Sequence, residues 1–109
     1  MRVNYPGLVQ HPQHARAKEL FEGCSGMLSF ELASGSRAVD WIERTRLAIH
    51  GPSLGGPETL VTRPAATSHS GLSPAERERA SIRDGLIRVS VGLEAIEDIV
   101  DDFESAFAG

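Results

Sequence analysis

The 109 residues contain one cysteine, one lysine, one tryptophan and one tyrosine, and several kinds of chemistry therefore lack their raw material. A lone cysteine cannot close an internal disulfide, which suits a reducing cytoplasm. With no CxxC partner, Cys24 reads as an inert thiol. The longest apolar runs are a few residues, too short to span a bilayer. Met1-Arg2 leads into Val-Asn-Tyr-Pro-Gly rather than the apolar segment of a signal peptide. There is no basic stripe, and a net charge of -4 argues against nucleic acid as a partner. His11 and His14 could share a helix face, but no third or fourth ligand follows at a metal-binding spacing, so no metal is expected. Apolar residues make up 40% and charged residues 24%, which describes one soluble, cytoplasmic globular domain with a modest core.

Turn residues divide the chain into short elements. Pro6-Gly7 breaks an extended entry. A helix is expected across residues 11–23, with Pro12 in its first turn, Ala15, Ala17, Leu20 and Phe21 on its apolar side, and Gly23 as its stop. Residues 26–32 read as a half-buried strand. After Ser34-Gly35-Ser36 a helix is expected from Arg37 to Ile49, carrying Trp41 and Ile42. Residues 51–57 form a loop by composition, and Thr59 to Thr62 a short strand ended by Pro64. Ser73-Pro74-Ala75-Glu76 has the form of a capping box and starts a short helix that ends near Ser81. Leu86 to Val91 is the strongest strand. Leu93 to Phe107 is the clearest helix, with Ile96, Ile99, Val100, Phe103 and Phe107 on its apolar face. Its acidic residues (Glu97, Asp98, Asp101, Asp102 and Glu104) read as a solvated face. Strands interleaved with helices imply an α/β architecture of one small sheet with packed helices, leaving parallel and antiparallel pairing open.

Arg88 stands out because it interrupts the apolar run of Leu86, Ile87, Val89 and Val91. A buried guanidinium is costly without an anion. It is also the side chain best shaped to grip a carboxylate through two parallel hydrogen bonds. The ordinary alternative is an arginine on an edge strand facing water. Ser53-Leu54-Gly55-Gly56 could be a plain surface turn. It is not a phosphate-binding P-loop, because the Lys-Ser/Thr ending is missing.

Five blocks occur in order: YPGL (Tyr5 to Leu8), HPQH (His11 to His14), GMLSFEL (Gly26 to Leu32), SLGGPETL (Ser53 to Leu60) and DGLIRVSVGLE (Asp84 to Glu94). Over about Val3 to Phe107 the chain resembles the C-terminal domain of the Cys/Met-metabolism enzymes that use pyridoxal phosphate. That resemblance implies a small, mostly antiparallel sheet with helices on one face, as in fold-type I pyridoxal phosphate enzymes. It implies that residues 1–109 are a single substrate-recognition domain and that the cofactor-binding domain is absent. The chemistry implied for the intact enzyme is beta- or gamma-elimination, or gamma-replacement, on sulfur amino acids or homoserine esters, in a homotetramer. The substrate-binding residues implied are Arg88, gripping the alpha-carboxylate, then Ser53 and Leu54 of the SLGG loop, and Glu58, an acid that influences reaction preference. Departures from the family pattern fall at Thr67-Ser68-His69, where relatives commonly read Met-Thr-His. They also fall at Ser81, where a glycine is common, and at Cys24-Ser25, where Phe-Gly is usual.

The cofactor needs a lysine with phosphate and ring contacts around it. Lys18 lies in the polar segment HARAKELFE, with no Ser/Thr-rich motif beside it. No catalytic or cofactor-binding residue is therefore expected in this chain, which should be inactive by itself. The rival expectation is a stand-alone binding module that pairs with a separately encoded cofactor domain.

Overall fold

The computed structural model describes residues 2–108 except positions 21, 24, 67 and 68. The expectations for Phe21, Cys24, Thr67 and Ser68 therefore lie outside the described residues. Nine elements follow one another: β1 (Arg2–Asn4), α1 (His14–Leu20), β2 (Met27–Glu31), α2 (Gly35–Arg44), β3 (Ile49–His50), β4 (Leu60–Thr62), α3 (Pro74–Arg79), β5 (Leu86–Ser90) and α4 (Ile96–Ala108). The strands form one sheet in the order β1-β2-β5-β4-β3. All neighbours are antiparallel except β3 and β4, so the mixed α/β sheet is mostly antiparallel, as expected.

Strand β5 is central, and the period-two alternation of a strand decides where its side chains go. Ile87 and Val89 point into the core with Phe30, Val61, Trp41 and Ala106. Ile87, Val61 and Val89 are fully buried, each worth about 1.5–3 kcal/mol of apolar transfer. The helices α2 and α4 cover this face. Trp41 from α2 meets Phe30 at a ring-centroid separation of 5.1 Å and Phe103 from α4 at 4.9 Å, both edge-on. Such edge-on pairs add to the area burial.

The capping signal placed the start of α3 correctly, whereas α2 begins at Gly35 rather than at the expected Arg37. Ser34 caps α2 by accepting a hydrogen bond from the Arg37 N–H at 3.2 Å. Ser73 and Glu76 form the expected reciprocal capping box at 3.0 and 3.2 Å. Those bonds from Ser73 hold the Glu76 carboxyl below its ordinary value, its backbone N–H contributing most and its hydroxyl next.

Other expectations need correction. α2 stops at Arg44, not Ile49. The Thr45 hydroxyl bonds the Ile42 carbonyl at 2.7 Å, while Asp102 of α4 accepts the N–H groups of Arg46 at 2.6 Å and Ala48 at 2.9 Å. Those are amides that a longer helix would have turned inward, so the tertiary contact ends the helix. Asp102 is accordingly a structural acceptor rather than part of a solvated face. On α4, Ile96 and Val100 are exposed, and the buried positions are Ile99 and Ala106, with Phe103 partly covered. On α1, Pro12 precedes the helix rather than lying in its first turn, and of the apolar residues named there Ala17 is buried while Ala15 and Leu20 are exposed.

Candidate functional site

Arg88 sits at the middle of the central strand, so the edge-strand alternative does not apply. Register places it between Ser29 of β2 and Thr62 of β4. Alternation turns its side chain away from the face that α2 and α4 cover. There it meets the loop at residues 51–58: one guanidinium nitrogen, Nη2, donates to the carbonyls of Pro52 at 2.7 Å and Ser53 at 3.1 Å.

Both partners are neutral, whereas three other arginines, Arg63, Arg77 and Arg83, meet carboxylates. Arg63 and Arg77 approach Asp84 at 3.8 and 3.1 Å, and Arg83 reaches Glu31 at 2.9 Å and Glu78 at 3.2 Å. Glu31 and Glu78 hold the Arg83 guanidinium above its ordinary pKa, Glu31 contributing most. Arg88 has no carboxylate partner among the described residues. A half-buried guanidinium with two lone carbonyls for company leaves donors available to an incoming anion. Beside it, Asn4, Met27, Leu28, Ser29 and Arg88 line a shallow concavity of about 240 Å³.

The other candidates are distributed along the same loop. Ser53 joins Arg88 through its carbonyl rather than its hydroxyl, and its side chain is exposed. Leu54 and Glu58 are exposed on that loop and make no hydrogen bond to Arg88. His11 and His14 serve local structure: the His11 Nδ1 accepts from the Gln13 N–H at 3.0 Å, and the His14 Nδ1 lies 2.8 Å from the Pro6 carbonyl.

Sequence reasoning missed the residues that hold the loop down. The Gly55 N–H donates to the Ser90 hydroxyl at 2.9 Å, and the Leu93 N–H to the Pro57 carbonyl at 2.7 Å. Thr59, fully buried, donates its N–H and hydroxyl to the two carboxylate oxygens of Glu94, at 2.9 and 2.7 Å. Its hydroxyl also accepts from the Gly92 N–H at 2.9 Å. These bonds hold the Glu94 carboxyl below its usual range, the Thr59 N–H contributing most and its hydroxyl next.

Lys18 lies exposed in the last turn of α1, without a hydrogen bond or ion pair to the described residues. Its helical neighbours Ala15, Arg16, Ala17, Glu19 and Leu20 bring no hydroxyl that could cup a phosphate. These surroundings do not fit pyridoxal phosphate.

A sequence model of the family described as Cys/Met metabolism PLP-dependent enzyme matches residues 1–108. The chain is 43% identical over 105 residues to a cystathionine beta-lyase of Lactococcus lactis subsp. cremoris, covering 96% of this chain and 28% of that protein. It is 46% identical over 104 residues to an L-methionine gamma-lyase of Fusobacterium nucleatum subsp. polymorphum, covering 94% of this chain and 26% of that protein. Among solved structures, the cystathionine gamma-lyase of Lactobacillus plantarum complexed with L-serine superposes with a TM-score of 0.92 at 35% identity. That match covers 99% of this chain and 28% of that one. The chain thus spans little more than a quarter of the length of these relatives.

Proposed function

The chain belongs to the family of Cys/Met metabolism PLP-dependent enzymes, and from that premise we propose that it is the substrate-recognition part of such an enzyme. Arg88 holds the alpha-carboxylate of an amino-acid substrate. The observation that carries this reading is a half-buried arginine on the central strand with neutral carbonyl partners and no carboxylate among the described residues. A carboxylate arriving over β5 would supply the missing charge and could be bound by two parallel bonds. Ser53, through whose carbonyl the loop meets Arg88, and the exposed Leu54 and Glu58 are the loop residues assigned to substrate contact. The Lactobacillus relative, complexed with L-serine, shows an amino acid held by a protein of this family.

The division of labour follows from what the chain contains. Pyridoxal phosphate acts as an electron sink for bonds at the substrate's alpha carbon, but Lys18 has no surroundings that suit it. We therefore assign the cofactor to residues outside these 109, and with them the bond-breaking steps. The partner is then the remainder of the enzyme, and the isolated chain lacks activity. What this chain contributes is orientation. Fixing the carboxylate leaves the substrate one way to present its alpha carbon, the kind of placement that removes much of the entropic part of a barrier. The relatives named above carry out different eliminations with this same part in common. The choice among beta-elimination, gamma-elimination and gamma-replacement accordingly rests largely on other residues.

The test is Arg88→Lys in the full-length enzyme. A lysine keeps the charge but cannot make two parallel bonds, so kcat/KM falls by roughly 2–4 kcal/mol of transition-state binding, expressed mainly in KM. An unchanged kcat/KM would refute the assignment.

A further inference from the structure

The loop that meets Arg88 is anchored at its opposite end by a contact more elaborate than a surface turn requires. We infer that Glu94 is a positioning residue: together with Thr59 it fixes residues 52–59 over β5 and so sets the opening in which Arg88 receives a carboxylate. The inference rests on the proposed role of Arg88 and extends it to groups that do not touch the substrate.

The geometry supports this at four points. Arg88 and Ser90 lie on one face of β5, Gly92 and Glu94 follow just past its end, and each engages a successive part of the loop. Arg88 takes the carbonyls of Pro52 and Ser53, and Ser90 takes the Gly55 N–H. A Cβ on Gly92 would collide with the Pro57 carbonyl and the Thr59 nitrogen, so only glycine lets the turn lie this close. Glu94 closes the row by accepting both donors of Thr59. Between the ends, Gly55 has a φ of +76° and Gly56 follows it, so the middle of the loop has little stiffness of its own. Its position depends on the anchors at either end.

The chemistry of the anchor explains the residue types. Thr59 offers two donors and one hydroxyl acceptor, and all are used while the residue is fully buried. A carboxylate is the side chain with two acceptor oxygens and no donor. Glutamine would satisfy one of the two and turn an N–H₂ group toward the other. A buried donor left without a partner then makes the loop leave its seat.

Steady-state kinetics of the full-length enzyme with L-cystathionine, backed by amide exchange on the 109-residue chain, provide the test. Glu94→Gln is expected to raise KM about tenfold, the equivalent of ~1.4 kcal/mol, with kcat changed much less. In the chain itself, the Gly55 and Leu93 amides should lose exchange protection. Thr59→Ser, which keeps both donors, should retain a KM close to wild type. Loss of folded enzyme alone would lower kcat per total protein and leave KM in place. A wild-type KM in Glu94→Gln beside a raised KM in Arg88→Lys overturns this inference and leaves the carboxylate reading standing. Wild-type KM in both overturns the carboxylate reading first. Should Glu94→Gln fail to fold, Ser90→Ala frees only the Gly55 N–H and must still raise KM above that of Thr59→Ser. Equal values for that pair overturn the inference.

Discussion

Asp102 offers a sharp test because its surroundings contradict its place in an acidic helix. Replacing it by asparagine leaves one acceptor oxygen for two backbone donors, the N–H groups of Arg46 and Ala48. Hydrogen bonds to a charged acceptor are worth about 1.5–3 kcal/mol each. Asp102 is only half-buried, so solvent compensates part of the loss, and we expect destabilisation of about 2 kcal/mol. Unfolding entropy near 2.1 cal/mol/K per residue over 109 residues gives roughly 0.23 kcal/mol/K. The midpoint should therefore fall by about 9 °C. The control is Asp101→Asn, which removes the same charge from a neighbouring exposed position and should shift stability by less than about 0.5 kcal/mol. Thermal and urea unfolding of both variants, followed by circular dichroism and by the fluorescence of Trp41, would measure the difference. Equal midpoints for the two would mean that the tie between α4 and the α2–β3 connection carries no stability, and the explanation for the end of α2 would fall with it.

Ser81 and Ser25 have φ values of 61° and 66°, the left-handed region where a side chain costs energy and glycine does not. Ser81→Gly should raise stability by about 1 kcal/mol at most, and the thermal midpoint with it. Ser25→Gly should gain less, because the Ser25 hydroxyl accepts the Met27 N–H at 3.3 Å; a lowered midpoint in Ser81→Gly would refute the strain argument. The pH dependence of Glu94 has a definite sign. Its folded pKa is depressed, chiefly by the Thr59 N–H, so its contribution is complete above the ordinary glutamate value of about 4.3 and is lost as pH falls through the lower folded value. Carbon-detected titration of its carboxyl should give a midpoint below about 4.3, and one at or above that value would contradict the Thr59 contact.

The period-two run at Leu86 to Val91 made β5 legible, together with Arg88 as its foreign member. Capping chemistry made the start of α3 legible, because Ser73 and Glu76 satisfy those backbone donors locally. The motif blocks pointed to the family and to the loop that faces Arg88. The two serines at positive φ stand where the family resemblance placed glycines, so even those departures were readable in outline.

Contacts between segments distant in sequence were not legible. No local pattern announces that Asp102 reaches back 54 and 56 residues to end a helix, or that Glu94 reaches 35 residues to seat Thr59. Composition likewise could not tell which apolar residues of α4 meet Trp41, and Ile96 and Val100 proved to face outward. The sequence by itself determined most of the elements, their order and the identity of the arginine, since these depend on residue type and on spacing along the chain. Ile49, however, expected in a helix, lies in β3. Only the tertiary structure decided that this arginine stands on the central strand, away from the core and without an anion. That depends on strand order and on the side of the sheet to which each loop returns, and both are set by packing among segments brought together only by folding.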